Sequence, residues 1–257
     1  MSTINNAHAA RIKLATINRA LASVGIDPLP GPDLDALPDV TAPTEDEISA
    51  ALATAKGDLG KSSAIQALAA RAWLASTSTA QALEHTARVT AWDNARAALP
   101  PLLEDIRNRY ADAAERLRAA ATGDLKGISD LDSLDLATLD SRRIGAAGAA
   151  VQDYREAKAL HGAWRAIWAT LQSGTPLHWT EMATPTNDEY AHARNATPQR
   201  FPTPDPWSVA RLGWTGALPE SLRAAGQRRA DYQTAAERAE QQQAQESRRT
   251  GLRGGSL

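Results

Sequence analysis

The chain has 257 residues, of which 54 are alanine and only one is phenylalanine. A net charge of −2 excludes a global preference for nucleic acid or an anionic membrane, and the lack of cysteine excludes disulfides, thiolate metal sites and cysteine nucleophiles. No apolar run approaches the ~20 residues of a membrane span, and the first residues lack the apolar stretch of a signal peptide. Because alanine has the highest helix propensity, we expect a helical, soluble protein that is made in the cytoplasm.

The chain begins with a predicted helix and a predicted arm. Apolar residues recur at three- to four-residue spacing along residues 1–25, namely Leu14, Ile17, Leu21 and Val24. Gly25 is suited to the position just after the helix, where a left-handed conformation is common. Residues 26–43 contain five prolines, a density that no helix tolerates, so they predict an extended linker or arm.

Residues 44–172 predict the helical core of the chain. Thr44 and Glu47 have the spacing of a capping box, so a helix should begin there. Residues 61–99 contain neither glycine nor proline and predict one helix of about 57 Å. A heptad of mostly small residues along this helix indicates a coiled-coil seam: Ile65, Leu68, Ala72, Ala75, Thr79, Ala82, Thr86 and Val89.

Two further helices complete the predicted core. Pro100 and Pro101 should end or kink the long helix, and residues 101–122 then predict the most regular amphipathic helix of the chain. Residues 141–172 predict another long helix, in which two glycines near the start would admit a close neighbour. The short connections favour antiparallel neighbours. The predicted fold class is therefore all-α, with long antiparallel helices in a hairpin or bundle.

Residues 173–218 predict an irregular strap that is rich in proline and tryptophan. Disordered segments rarely contain so many large aromatic residues, and tryptophan is enriched at the centres of protein interfaces. We therefore expect the strap to lie across the helices or across a partner. The residues expected to form a protein interface are Trp179, Phe201, Trp207, Trp214 and Tyr232.

Residues 219–257 predict a polar last helix, opened by Pro219, and a flexible tail that is rich in glycine and arginine. The helix fades into a stretch of glutamine and glutamate without an apolar face, and such a helix does not sustain itself in a monomer. We therefore expect protein partners, either further copies of the chain or other subunits of an assembly, and an oligomer.

Residues 55–62 fit a relaxed phosphate-binding loop that ends in Gly60, Lys61 and Ser62. Such a loop needs a buried strand before it, so that backbone N–H groups and a helix dipole point at the phosphates. Here a capped helix precedes it, and a turn after that helix is the preferred interpretation. His85 and His161 lie on predicted long helices, where burial with one satisfied hydrogen bond is expected. No catalytic residue, metal ligand or cofactor is predicted.

These patterns favour a non-enzymatic structural or assembly protein that works through helix packing and extended arms. A component of a phage virion, in its capsid or tail, or a scaffold for one would fit the composition and the lack of cysteine. Two alternatives remain open. One is a monomeric helical regulator that binds another protein, and the other is a nucleotide-binding protein that uses the loop before Ser62.

Overall fold

The computed structural model describes residues 3–35, 37, 41–55, 62–131, 133–172, 179–190 and 205–253. The described residues are mostly helical and contain no β-strand, which confirms the all-α class. Two short 3-10 helices cover Leu136–Thr138 and Trp179–Glu181. The α-helices are α1 (Thr3–Ala22), α2 (Glu45–Thr54), α3 (Ser63–Leu74), α4 (Thr77–Thr122), α5 (Ser141–Leu171), α6 (Pro206–Arg211) and α7 (Leu222–Arg253).

The chain divides into two compact units. Unit 1 comprises Met1–Ala15 and Pro28–Leu99, and unit 2 comprises Thr16–Asp27 and Pro100–Leu257. The division into five segments that the sequence suggests is a finer one, and it stays a prediction. The two units differ in the size of the side chains that they bury, and this difference matters for function.

Three helix boundaries follow from local chemistry. Thr44 caps α2, because its Oγ1 accepts the Glu47 N–H at 3.3 Å while a Glu47 carboxylate oxygen accepts the Thr44 N–H at 2.8 Å. Asp140 caps α5 by accepting the Arg143 N–H at 2.9 Å. Gly25 follows α1 with a φ of 71°, a left-handed conformation that favours glycine.

The long helix predicted over residues 61–99 is divided in two. Between α3 and α4, the Ser76 hydroxyl donates to the Trp73 carbonyl at 2.6 Å, and the Thr79 N–H donates to the Ser76 carbonyl at 3.0 Å. Four serine and threonine residues follow one another from Ser76. Such hydroxyl groups compete with the helical hydrogen bonds of the backbone, which explains a break without glycine or proline.

Helix α4 continues through Pro100 and Pro101, where the sequence predicts an end or a kink. Each proline lacks an N–H group and so removes one helical hydrogen bond. Leu99 and Leu103, on either side of the pair, are both buried. Tertiary packing therefore maintains a helix that local preference alone would interrupt.

Helix α7 begins and ends later than predicted. Pro219 does not open it, since the Ser221 hydroxyl accepts the Ala224 N–H at 3.1 Å and the helix begins at Leu222. It continues to Arg253, into the part of the chain predicted to be a flexible tail.

The proline-rich segment contains no helix in its described residues, which are 26–35, 37 and 41–43. The side chain of Leu29 is buried, whereas that of Leu34 is exposed. At least one apolar side chain therefore packs onto the protein. The role of the whole segment as an extended arm stays a prediction.

Gly216 lies in close contact with α4 inside unit 2. Its backbone forms an antiparallel bridge with Ala183, and a Cβ at position 216 would overlap the Cβ of Ala114. Among the described residues, Gly145 and Gly148 of α5 do not have the close neighbour that the sequence predicts there, because a Cβ added at either one meets no atom within 4 Å. The close approach to α4 therefore requires glycine at position 216, not at 145 or 148.

We expect Gly216→Ala to lower the free energy of unfolding by about 1–3 kcal/mol, because the added methyl group overpacks the contact with Ala114. Gly148→Ala is the matched control. It should raise stability by about 0.5–1 kcal/mol, because alanine favours a helix interior where there is space for it. Urea unfolding followed by circular dichroism measures both, and equal effects of the two variants would contradict this packing.

Candidate functional site

The first described residues of the predicted strap, 179–185, form a turn that is held by two helices of unit 2. We call residues 179–185 the strap turn. The Tyr110 hydroxyl of α4 donates to the Met182 carbonyl at 3.1 Å. Arg228 of α7 donates to the Ala183 carbonyl at 3.3 Å. Buried carbonyl groups outside regular structure need such donors, so these two side chains fasten the strap turn to the helices.

Tyr110 is suited to this role because it keeps its proton. Burial raises the pKa of Tyr110 well above its ordinary value, and the negative charge of Asp205 raises it further. Asp205 itself caps α6, since its carboxylate accepts the Trp207 N–H at 2.9 Å and the Ser208 N–H at 3.2 Å. The phenol is therefore a hydrogen-bond donor at neutral pH.

Two of the tryptophans predicted to form a protein interface are buried inside unit 2. Trp207 is 2% exposed and Trp214 is 1% exposed. The side chain of Trp179, and Phe201 as a whole, lie outside the described residues. Trp207 and Trp214 are thus buried within their own chain, and an interface role for any of these four residues stays a prediction.

Tyr232 of α7, the fifth predicted interface residue, is half-buried. Its hydroxyl donates to the Pro185 carbonyl, and its ring packs against Tyr190 with 5.2 Å between the ring centroids. Tyr232 thus adds another contact between α7 and the end of the strap turn.

A buried carboxylate fastens the strap turn to α5 as well. Glu181 is 1% exposed, and its Oε2 accepts a hydrogen bond from Arg165 Nε at 3.0 Å. The same oxygen lies 3.3 Å from His161 Nε2, and the imidazole stacks on Trp164. The other carboxylate oxygen has no partner among the described residues. His161 is thus buried with a hydrogen-bond partner, as the sequence predicts.

The candidate phosphate-binding loop lies mostly outside the described residues, which include Ser62 but neither Gly60 nor Lys61. Ser62 precedes α3 and makes no side-chain capping bond there. In the described part of the chain, no group of three or more acidic or histidine side chains is placed to hold a metal ion. Nor is any described helix long and apolar enough to cross a membrane.

Unit 1 carries an exposed apolar surface on two short helices. Ile48 and Leu52 lie one turn apart on α2 and are 42% and 48% exposed. Trp73 of α3 is 66% exposed. We call these three residues the α2–α3 surface. An ion pair between Arg71 of α3 and Glu47 of α2 connects the two helices.

The sequence pattern did not single out Trp73. The predicted seam passes through Ala72 and Ala75, and Trp73 lies about 100° around the helix from Ala72. A tryptophan beside a seam of alanines could have indicated a second apolar surface, because its larger side chain faces away from the predicted helix–helix contact.

The described parts of unit 1 bury few large side chains. Ala51 is the only described residue of α2 that is buried, and α3 has none. Helices of 10 and 12 residues are marginal in water without tertiary packing. Among the described residues of unit 1, the buried apolar ones are Ala7, Ala10, Leu14, Leu29, Ala51, Ala91, Ala95 and Leu99.

No protein-family model matches the sequence, and no curated protein or solved structure matches it either. Function therefore has to be inferred from the geometry of this chain. Two features bear on it: the strap turn is held by side chains within unit 2, whereas the apolar side chains of the α2–α3 surface are exposed on unit 1.

We expect Trp214→Ala to destabilise the protein far more than Trp73→Ala does. Trp214→Ala should lower the free energy of unfolding by about 3–5 kcal/mol, because it empties a buried site. Trp73→Ala should change it by less than about 0.5 kcal/mol, because its side chain is already exposed. Denaturant unfolding of dilute protein measures both, and a larger loss from Trp73→Ala would contradict the assignment of the two sites.

The connection between α2 and α3 should weaken in acid. The hydrogen bond from Arg71 and that from the Thr44 N–H lower the pKa of Glu47 from 4.5 to about 2. Because the folded-state pKa lies below the unfolded value, the contribution of the carboxylate is complete above about pH 4.5 and is lost as the pH falls towards 2.

Glu47→Gln provides the control for this pH dependence, since glutamine keeps the capping box but cannot titrate or form an ion pair with Arg71. Wild type should be the more stable protein at neutral pH, and the difference should shrink between pH 4.5 and 2. A difference in unfolding free energy that stays constant over this range would show that the ion pair does not form in solution.

Proposed function

We propose that the chain is a non-enzymatic assembly protein whose unit 1 completes its packing on a protein partner. The observation that carries this proposal is the α2–α3 surface, where Ile48, Leu52 and Trp73 are exposed on helices that bury a single residue between them. Fully burying one such side chain is worth about 1.5–3 kcal/mol. A partner that covers all three would stabilise both helices as well as the complex.

Unit 2 would serve as the stable body of the assembly protein. We propose that α4 and α5 form the long antiparallel hairpin that the sequence predicts. Ion pairs between the last turns of α4 and the middle of α5 support it: Arg116 contacts Asp153 at 2.7 Å and Glu156 at 3.0 Å. Because these side chains are partly exposed, each pair adds less than about 1 kcal/mol and mainly sets the alignment of the helices.

The partner that we propose is a second copy of the chain or another subunit of an ordered assembly. A phage virion component or scaffold is one form of this proposal, and capsid or tail genes beside the coding gene would support it. The alternative is a monomeric regulator that uses the same surface to bind a different protein. The two are distinguished by the mass of the purified chain in solution.

We expect the purified chain to form oligomers at micromolar concentration and the α2–α3 surface to control them. Trp73→Ala should weaken association by about tenfold or more, because interface tryptophans often contribute 2 kcal/mol or more. Sedimentation velocity over a concentration series measures this change, and circular dichroism checks that helix content is retained.

Ile144→Ala on α5 is the matched control, since Ile144 is also a large apolar residue that is exposed, at 41%. Association should be unchanged in this variant. If Ile144→Ala weakened association as much as Trp73→Ala, the α2–α3 surface would not be the interface. A wild-type chain that stayed monomeric throughout would exclude self-assembly and favour the regulator.

A further inference from the structure

Two arginines of unit 2 converge on neighbouring carbonyl groups after α6. Arg107 of α4 donates its Nε hydrogen to the Leu218 carbonyl at 3.2 Å. Arg228 of α7 donates through Nη1 to the Ala217 carbonyl at 3.4 Å, and also to the Thr180 and Ala183 carbonyls of the strap turn. Two guanidinium groups from different helices are thus held beside the same short piece of backbone.

No carboxylate of the described residues pairs with these two arginines. Glu104 and Asp231 are the acidic residues spaced three positions from Arg107 and Arg228 on their own helices, but neither forms an ion pair with them. Asp231 instead accepts a hydrogen bond from the Gln227 side chain at 2.9 Å. Among the described residues, the hydrogen bonds of these two guanidinium groups therefore go to backbone carbonyls.

This arrangement favours an added negative charge. Burial lowers the pKa of Arg228, the neighbouring Tyr232 raises it, and the positive charge of Arg107 lowers it, so the two cations are close enough to repel each other. Both side chains are half-buried, so part of each one reaches solvent. An anion at this position would remove the repulsion and compensate for the partial loss of hydration.

We propose that Arg107 and Arg228 together bind an oxoanion, either a phosphate or a carboxylate group. Arginine presents its N–H groups in a planar fork that bonds two oxygens at once, and such charge-assisted bonds are the strong ones. The carbonyl bonds use Nε of Arg107 and Nη1 of Arg228. They orient the two forks and leave the other guanidinium nitrogens for the ligand. The site does not depend on the proposed assembly function.

Titration calorimetry of the full chain with inorganic phosphate, at constant ionic strength, tests the proposal. Arg107→Gln should weaken binding by about tenfold or more, because it removes a charged fork. Arg229→Gln is the matched control: this residue is exposed on α7 beside Arg228, and its loss should change the affinity by less than about twofold. A parallel titration with acetate shows which oxoanion the site prefers.

Saturable binding of either anion that depends on Arg107 supports the site, and the more tightly bound anion identifies the ligand class. The absence of saturable binding of both anions to the wild-type chain would overturn it. So would an equal loss in Arg107→Gln and Arg229→Gln. If Arg107→Gln does not fold, Arg107→Lys keeps the charge without the fork and should still bind more weakly than wild type.

Discussion

The packing of unit 2 depends on hydrogen bonds to the carbonyl groups of the strap turn. The Met182 and Ala183 carbonyls lie outside any helix, and buried carbonyls need donors, so Tyr110 and Arg228 reach them from α4 and α7. Gly216 has no side chain, so the backbone there can lie against Ala114 of α4. Trp214, two residues earlier, is buried. Loss of the Arg228 donor would leave the buried Ala183 carbonyl without a partner among the described residues, at about 1–3 kcal/mol. A few hydrogen bonds thus help to position the largest apolar side chains of unit 2.

The second constraint is that alanine-rich helices form readily but bury little area, so a few large side chains decide where stability lies. Unit 2 buries Trp164, Trp207 and Trp214. Neither tryptophan of unit 1 is fully buried, because Trp92 is half-buried and Trp73 is exposed. This difference is the reason that the proposed interface lies on unit 1, although most of the tryptophans belong to the other unit.

Features governed by neighbouring residues could be predicted from the sequence. The capping box at Thr44 and the left-handed Gly25 depend on a few adjacent residues, and both are present. Features that depend on contacts between residues far apart in the sequence could not be predicted. Helix α4 passes through Pro100 with buried leucines on either side of it, Trp214 is buried inside unit 2, and Gly216 lies against Ala114 of α4. The exposure of Trp73 likewise follows from how α2 and α3 pair.

The most direct test is hydrogen exchange of the full chain, measured by mass spectrometry in dilute and in concentrated solution or with a bound partner. Slow exchange is expected under all conditions at Thr184 and Ala217, whose N–H groups bond across the bridge beside the strap turn. Amides of α2 and α3 should exchange rapidly in dilute protein and become protected on association. Protection of α2 and α3 equal to that of Thr184 in a dilute monomer would contradict an incomplete unit 1.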